Sequence, residues 1–233
     1  MKIVTLILAA YFMIAAGLYA HYTYVRSDKF IRNRVVMLHS NHGSCSGIEI
    51  KAPSGKNYIL TAGHCKILLE NNEVLAENEQ GKDIPVHFIA EDSFSDLMLL
   101  TARDSNSIPV GRHMYEHQHL HTLTHGRGYP TYRTDGEFLA YQMTDVMVSE
   151  IQDPSQEESC RLSKFKIQDT LFGKICILHT VQTISTAAVV PGSSGGPLLN
   201  DDGQLVGIVS AGGPDSFSTF VSLPDIREFL KNK

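Results

Sequence analysis

The sequence predicts an all-β protein, a barrel or a sandwich, with one short helix at its carboxyl end. After residue 34 the chain consists of short runs rich in Val, Ile, Thr and Tyr, and several of these runs alternate apolar and polar residues as half-buried strands do. Many short strands at this spacing are typical of barrels and sandwiches. The runs are VVMLHS, GIEIKA, NYILTA, IPVHFIAE, DLMLLTA, HLHTLTH, EFLAYQMTDVMVSEI, KICILHTVQTIS, QLVGIVSAGG and SFSTFVSL.

Turn-forming pairs separate these runs, namely Ser54-Gly55, Asn71-Asn72, Asp135-Gly136 and Asp202-Gly203. The last pair joins GPLLN to QLVGIVS and predicts a hairpin. The segment LPDIREFLKNK, with Pro and Asp at its start, is the only convincing helix after the amino-terminal segment. The polar stretch 104–111, DSNSIPVG, is the candidate crossing between two β units, about 35–105 and about 112–233.

Composition excludes some classes of function. The chain has 233 residues, enough for one large domain or two small ones. Its formal charge is −5 and it has no long basic run, so we do not expect nucleic acid as its main partner.

An apolar leader precedes the β-rich region. Residues 3–20 are uncharged and follow Lys2, which predicts a signal peptide or a membrane anchor within residues 1–22. A buried core helix is the alternative. Four basic residues between 26 and 34 face only one acidic residue, Asp28, and this flank favours the cytoplasm by the positive-inside rule. Charge therefore does not settle the orientation, and a retained leader would associate the protein with a membrane through residues 3–20.

The four cysteines fall into two local pairs, Cys45 with Cys65 and Cys160 with Cys176, and each pair brackets a segment with hairpin character. Spacing such as C-x-x-C, typical of metal ligands, is absent from the sequence. We therefore expect two disulfides and an oxidising compartment, and hence an exported protein. Four buried free thiols in a cytosolic protein remain the alternative.

The stretch PGSSGGPLL places Ser194 between glycines, as either a plain turn or a nucleophile on a tight loop. A serine nucleophile needs a general base, and the base needs an orienting carboxylate. The segment TAGHC supplies His64 beside Cys65, and DSFSDLMLL supplies Asp96 at the entry to an apolar run. Asp92 is the alternative carboxylate, but it precedes the run rather than opening it.

The motifs TAGHC, DLMLL and GSSGGP, in this order, resemble those of trypsin-like, chymotrypsin-fold serine peptidases over roughly residues 35–230. The segment TAAVVPGSSGGPLLNDDGQLVGIVSAGG is closer to the bacterial high-temperature-requirement proteases than to the digestive enzymes. The resemblance implies two six-stranded antiparallel β-barrels with the active site between them. Cys45 and Cys65 match the cystine that closes the loop beside the catalytic histidine in this family.

The resemblance also implies roles for individual residues. Ser194 is the expected nucleophile, His64 the base and Asp96 its orienting group. The backbone N–H groups of Gly192 and Ser194 are the expected oxyanion hole. The strand that pairs with the substrate backbone is expected at Ser210, Ala211 and Gly212. The implied activity is endopeptidase cleavage of polypeptides without a metal or an organic cofactor.

Specificity is expected to depend on Ala188, which is six residues before the nucleophile and matches the base of the family's primary pocket. Ala188 cannot select Lys or Arg as an acidic residue there would. With Val189 and Val190 beside it, and Ser216 to Ser218 as the expected wall, the pocket should accept small or medium apolar side chains.

One residue departs from the digestive pattern. Ser193 stands where digestive enzymes carry an Asp that pairs with a newly freed amino terminus. A neutral hydroxyl cannot form that ion pair, so we expect Pro191 and local hydrogen bonds to hold the loop, and activity not to require cleavage near Val35.

Two other readings stay open. A degenerate protease fold used as a binding module is the first. The second is a metal-binding protein, because His117, His119 and His121 alternate in HMYEHQHLHTLTHG and would share one face of a strand. Solvated or core histidines are the expected interpretation.

Overall fold

The computed structural model describes residues 11–19, 23, 28–78, 80–102, 107–128, 131–162, 166–170, 173–212 and 217–233. In this part of the chain, fourteen strands form two seven-stranded sheets, which confirms the predicted all-β class. The strands are β1 (Val35–Ser40), β2 (Gly43–Lys51), β3 (Asn57–Ala62), β4 (Glu73–Glu77), β5 (Asp83–Asp92), β6 (Leu97–Thr101), β7 (Ile108–Pro109), β8 (His119–Thr124), β9 (Tyr132–Ile151), β10 (Lys166–Thr170), β11 (Gly173–Ser185), β12 (Pro197–Asn200), β13 (Leu205–Gly212) and β14 (Ser218–Val221).

The first sheet closes into a six-stranded antiparallel barrel. Its order is β1-β4-β5-β6-β3-β2-β7, and β1 also pairs with β2, so the first six strands form a ring. The short β7 adds to β2 in parallel, with Ile50 opposite Ile108. Fully buried aliphatic side chains such as Ile48, Leu60 and Leu99 fill the interior. This closure leaves no strand edge of the ring unpaired.

The second sheet forms a second ring. The long β9 pairs with β8 along its first part and with β11 along the rest, and the ring runs β9-β8-β12-β13-β14-β11. The remaining strand, β10, pairs with the outer side of β11. Leu120, Leu198, Val206 and Phe220 pack together in the core of this ring. The predicted pair of six-stranded antiparallel barrels is confirmed.

Three of the predicted turns are formed, including Ser54-Gly55, where Gly55 has a φ of 88° and its N–H donates to the Ala52 carbonyl at 2.9 Å. Asn71 and Asn72 both have positive φ, 53° and 65°, as a two-residue hairpin turn requires. Asp202 and Gly203 turn the chain between β12 and β13, where the Gly203 N–H donates to the Asn200 carbonyl at 2.9 Å.

The predicted turn at Asp135-Gly136 is wrong. Both residues lie inside β9, and Gly136 pairs with Leu120 of β8. The glycine serves a close approach of two backbones, since a Cβ on Gly136 would lie 2.1 Å from the Ala187 nitrogen. An Asp-Gly pair can mark a turn, but a glycine within a strand can also mark a close approach of two backbones. The sequence alone does not distinguish these two cases.

Three α-helices have defined bounds, α1 (Asp28–Arg32), α2 (Pro154–Leu162) and α3 (Leu223–Leu230). The helix α3 confirms the predicted carboxyl-terminal helix, and the Ser222 hydroxyl accepts a hydrogen bond from the Asp225 N–H at its start. The expectation of no other helix is wrong, because α2 lies before β10. The sequence of α2, PSQEESCRL, lacks an apolar stripe. Capping starts this helix, since the Asp153 carboxylate accepts from the Ser155 and Gln156 N–H groups.

Both predicted disulfides are formed. Cys45–Cys65 joins β2 to the 3₁₀ helix η1 (Gly63–Leu68), and Cys160–Cys176 joins α2 to β11. The second pair does bracket a hairpin, β10–β11, but Cys160 itself lies on a helix. Two disulfides in one chain indicate an oxidising compartment.

Only part of the predicted leader lies within the described residues. Residues 11–19 are helical and exposed, and residues 1–10 and 20–22 lie outside the described part of the chain. Among the described helices, none has the length and hydrophobicity needed to span a bilayer. Of the expected crossing segment 104–111, residues 104–106 also lie outside, and Ile108–Pro109 forms β7.

Candidate active site

Two neighbouring strands of the first barrel bring His64 and Asp96 together. Ala62, the last residue of β3, pairs with Leu97, the first residue of β6. His64 follows β3 in η1, and Asp96 immediately precedes β6. The His64 Nδ1 atom lies 3.0 Å from Asp96 Oδ2 and 3.1 Å from Oδ1. Because a carboxylate only accepts hydrogen bonds, Nδ1 is the donor and the other ring nitrogen, Nε2, is free to act as a base.

The Asp96 carboxylate is fixed by more than the imidazole. Its Oδ1 accepts the backbone N–H of His64 at 2.8 Å, and its Oδ2 accepts the Ser210 hydroxyl at 2.9 Å. Asp96 also holds a positive φ of 52°, a conformation uncommon outside glycine that is often found at functional sites. The alternative carboxylate, Asp92, is used elsewhere, since it accepts from the Phe94 N–H and the Ser95 hydroxyl within the same turn.

Asp96 also sets the protonation of His64. Burial lowers the pKa of the imidazole, but the hydrogen bond to Asp96 and the charge of Asp96 outweigh burial, and the net effect raises the pKa above its usual 6.5. The His64 side chain is 48% exposed, so a substrate can reach it. Within the described residues, no hydrogen bond joins the His64 ring to the Ser194 hydroxyl. Catalytic hydrogen bonds are often long without substrate and shorten when substrate binds.

The expected nucleophile, Ser194, lies in the loop 186–196 between β11 and β12, called the nucleophile loop below, where the backbone approaches its neighbours closely. The Gly195 N–H donates to the Val209 carbonyl at 2.8 Å, and the Gly196 N–H donates to the Ser193 carbonyl at 2.9 Å. A Cβ on Gly195 would lie 2.0 Å from the Thr61 hydroxyl and 2.3 Å from the Ser46 carbonyl, so only glycine fits there. In the described structure, the N–H groups of Gly192 and Ser194 donate to no protein acceptor, which leaves both available to a ligand.

Ser193 is fully buried beneath the loop, and its hydroxyl is held by three neutral groups. The Thr124 hydroxyl and the Tyr132 hydroxyl each lie 2.9 Å from it, and the Val190 N–H donates to it at 3.3 Å. The Pro191 carbonyl accepts the Arg127 N–H at 2.7 Å. Local hydrogen bonds of the kind predicted for this loop are therefore present.

Ser46 contributes to the site although no sequence motif marks it. It lies on β2 of the first barrel, and its N–H donates to the Ser194 carbonyl at 2.7 Å. Its hydroxyl donates to the Gly192 carbonyl at 3.0 Å and accepts the His125 N–H at 2.9 Å. Its own carbonyl accepts the Thr61 hydroxyl at 2.7 Å. Ser46 is fully buried and joins the nucleophile loop to the strand that carries Cys45.

The expected substrate-binding residues lie at the end of β13. Ser210 is buried against Asp96, whereas Ala211 and Gly212 are exposed. Ala188 is exposed, and Val189 contacts the position of Gly212, where a Cβ would lie 3.1 Å from the Val189 Cγ2. Of the expected pocket wall, residue 216 lies outside the described part of the chain.

The three alternating histidines do not share one face. His117 precedes β8 with a φ of 58°, and its ring lies 3.7 Å from Glu137. His119 and His121 do lie on β8, the first exposed and the second buried. Burial, and next the charge of Arg133, lower the pKa of His121 to about 4, so its ring is neutral near pH 7.

Comparison with known proteins identifies the family. The profile of the trypsin-like peptidase domain matches residues 45–208, which is most of the region that the two barrels occupy. The chain therefore belongs to the trypsin-like peptidases, a family of serine endopeptidases.

Individual relatives are of the bacterial high-temperature-requirement type. The chain is 30% identical over 170 residues to the serine protease Do-like HtrA of Bacillus subtilis (strain 168), a match that covers 72% of this chain and 33% of that protein. The chain thus spans about a third of the length of this curated relative.

Solved structures share the fold. The active form of the Rv3671c protease from M. tuberculosis superposes with a TM-score of 0.65 at 15% identity, covering 87% of this chain and 82% of that chain. The HtrA-type protease AlgW with a bound tripeptide superposes with a TM-score of 0.63 at 19% identity, covering 89% of this chain and 62% of that chain.

Removal of the Ser46 hydroxyl should slow turnover more than it weakens substrate binding. In Ser46→Ala the Gly192 carbonyl and the His125 N–H lose a buried partner, which costs about 2 kcal/mol of stability. We expect kcat to fall about tenfold with a smaller change in KM, because about 1.4 kcal/mol of lost positioning is a tenfold rate effect. Urea unfolding and steady-state kinetics measure both.

Ser44→Ala is the matched control for this variant. Ser44 lies on the same strand and is half-buried, and in the described structure its hydroxyl makes no hydrogen bond. Equal effects of the two substitutions would show that the contacts of Ser46 do not position the loop.

Replacement of Asp96 should change both the rate and its pH dependence. His64 acts as a base only when neutral, so the rate in the parent should rise with pH through a midpoint above 6.5. Asp96→Asn removes the carboxylate that raises the pKa of His64, whereas burial, which lowers this pKa, remains. We expect the midpoint of kcat/KM to move below 6.5 and kcat to fall roughly 10⁴-fold. Asp92→Asn should keep the parental midpoint, and a midpoint in Asp96→Asn at or above the parental value would contradict the assignment.

Proposed function

We propose that this protein is a serine endopeptidase that cleaves polypeptides through a Ser194–His64–Asp96 triad and an acyl-enzyme. The observation that carries the proposal is the fixed His64–Asp96 pair, with Nδ1 as the donor to the carboxylate and Nε2 free. The Ser194 Oγ attacks the scissile carbonyl carbon while its proton passes to the His64 Nε2. His64 then donates this proton to the leaving amine, and the acyl group remains on Ser194. Water, deprotonated by His64, hydrolyses the acyl-enzyme and restores Ser194.

Electrostatics supports this sequence of proton transfers. The imidazolium that forms during attack is stabilised by the Asp96 carboxylate, which is held by the His64 N–H and the Ser210 hydroxyl and so needs no reorganisation. Burial lowers the pKa of His64, but the hydrogen bond and charge of Asp96 together raise it by more, which supports a stabilised imidazolium. Asp96 thus lowers the energy of the charged intermediate and fixes the tautomer of His64.

The tetrahedral intermediate is proposed to place its oxyanion between the N–H groups of Gly192 and Ser194. Both groups donate to no protein acceptor in the described part of the chain, although the loop around them is bonded through Ser193 and Ser46. Each preorganised donor of this kind lowers the free energy of the transition state by roughly 3–4 kcal/mol.

A substrate is proposed to bind in extended form along Ser210, Ala211 and Gly212. The last two residues are exposed at the end of β13, where a peptide can add as a further strand. The solved relative with a bound tripeptide is consistent with a peptide ligand for this fold.

The chain is also proposed to carry a leader ahead of its peptidase domain. We propose a leader in residues 1–22 and a peptidase domain in residues 35–233, with the catalytic part exported from the cytoplasm. Both disulfides support an oxidising compartment. No nucleic acid partner is proposed, and a retained leader would hold the protein at a membrane.

Replacement of the nucleophile should abolish hydrolysis. Ser194→Ala leaves no group to form the acyl-enzyme, and we expect kcat on casein to fall about 10⁶-fold. The adjacent Ser193→Ala is the matched control, since it removes hydrogen bonds to Thr124 and Tyr132 but keeps the nucleophile. The control should keep a measurable rate. Casein cleavage by Ser194→Ala at the parental rate would contradict the proposal, and absence of cleavage by the parent would favour a binding module.

The preferred side chain before the scissile bond should be small or apolar. Ala188 offers no charge, and Val189 and Val190 beside it are apolar. Profiling with a peptide library should show this preference in the parent and a gain of Lys or Arg cleavage in Ala188→Asp. A clear Lys or Arg preference in the parent would contradict the proposed pocket.

A further inference from the structure

Outside the active site, two histidines lie on the outer face of β8. Leu120 packs in the core of the second barrel, so its neighbours His119 and His121 point away from that core. On one side of this strand, His121 pairs with Leu199 of β12, and Asp201 follows the end of β12. On the other side, His121 pairs with Asp135 of β9. The fold therefore brings two imidazoles and two carboxylates to one face of the second sheet, where His121 is buried and His119 is exposed.

His121 is buried, and no described residue forms a hydrogen bond with its ring. It is only 4% exposed, and neither ring nitrogen has a hydrogen-bond partner among the described residues. A buried polar group without a partner costs about 1–3 kcal/mol, and such groups are few in native proteins. The neutral His121 ring thus has a lone pair available to a ligand. Burial of this lone pair without a partner lowers the stability of the fold, and binding of a ligand would restore it.

The ligand atoms of three side chains converge at this point. One atom each from His119, His121 and Asp201 lie within 4.8 Å of one another. In a tetrahedral zinc site with bonds of about 2.0–2.2 Å, two ligand atoms lie roughly 3.3–3.5 Å apart. His119 and Asp201 are exposed and can rotate toward this spacing, whereas burial fixes His121.

The surrounding groups would orient His119. Its Nδ1 faces Asp201 at 2.7 Å, and its Nε2 lies 3.3 Å from Asp135. Asp135 is itself held by Arg133, whose Nε and Nη2 donate to it at 3.0 and 2.8 Å. A histidine that ligates through one nitrogen and donates its other N–H to a carboxylate is the usual arrangement at protein zinc sites.

We propose that His119, His121 and Asp201 form a zinc-binding site on the outer face of β8, distinct from the peptidase triad. Two imidazole nitrogens and one carboxylate oxygen are a donor set that Zn²⁺ accepts and that Mg²⁺ and Ca²⁺, which prefer oxygen alone, do not. Three protein ligands leave a fourth position for water. The bound ion stabilises the folded protein, because the three ligands come together only in the folded chain.

A second group of potential ligands serves as a control. His39, Glu77 and Asp83 also offer three atoms within 4.8 Å of one another. The His39 ring already has a partner, Asp83 at 2.8 Å, and all three side chains are at least partly exposed. No buried imidazole without a partner is present in this second group, so it is not proposed as a site.

The test is zinc binding by the full-length chain, purified without a histidine tag and freed of metal with a chelator. Calorimetric titration with Zn²⁺ should show one equivalent that is lost, or weakened at least about 100-fold, in His119→Gln and in Asp201→Asn. His39→Gln should bind as the parent does. Zinc at about 100 times its Kd should raise the Tm of the parent and of His39→Gln by roughly 5 °C or more, without raising that of the other two variants.

Two outcomes would overturn the proposal, and neither depends on peptidase activity. The substitutions at His119 and Asp201 change exposed side chains, so circular dichroism should show the parental fold in both. Equal zinc affinity and stoichiometry in the parent and these variants would overturn the site, as would absence of zinc binding by the parent. Asp135→Asn should weaken binding about 10- to 100-fold if this carboxylate orients His119.

Discussion

The active site depends on the contact between the two barrels at Ser46. Neither barrel alone carries the proposed triad, since His64 and Asp96 belong to the first barrel and Ser194 to the second. Ser46 connects them through its backbone, which donates to the Ser194 carbonyl, and through its hydroxyl, which donates to the Gly192 carbonyl. Ser46 is fully buried, and Gly192 and Ser194 are partly buried, so loss of the Ser46 hydroxyl would remove a partner from the Gly192 carbonyl in a part-buried contact. The position of Ser194, the proposed nucleophile, therefore depends on the packing of the first barrel.

Neutral hydrogen bonds hold the loop that digestive relatives hold with an ion pair. Around the buried Ser193 hydroxyl, Thr124, Tyr132 and the Val190 N–H supply its partners, and all three belong to the second barrel. None of these groups has to be created by cleavage of the chain, so the loop can take its final form as the barrel folds. Two free N–H groups, at Gly192 and Ser194 in the described structure, are consistent with a loop that is ready to receive an oxyanion.

Sequence patterns predicted the parts of this architecture that depend on local chemistry. Alternating apolar residues marked most strands, and the family motifs marked His64, Asp96 and Ser194. Strands β4 and β10 were not predicted, because each is only five residues long and carries charged residues. Helix α2 was not predicted either, because it is started by capping and has no apolar stripe. The roles of Ser46 and of Asp201 depend on which strands become neighbours, and no local pattern carries that information. His117 was placed on a strand that in fact begins two residues later.

We expect the nucleophile loop to take its active form without a freed amino terminus. Labelling of Ser194 by a fluorophosphonate probe tests it most directly, because the reaction needs the nucleophile, the base and the oxyanion donors together. The full-length chain with an uncleavable amino-terminal tag should be labelled at the same second-order rate as the tag-free chain, with the adduct on Ser194 by mass spectrometry. Labelling only after the chain is clipped near Val35, or an adduct on another residue, would contradict the account.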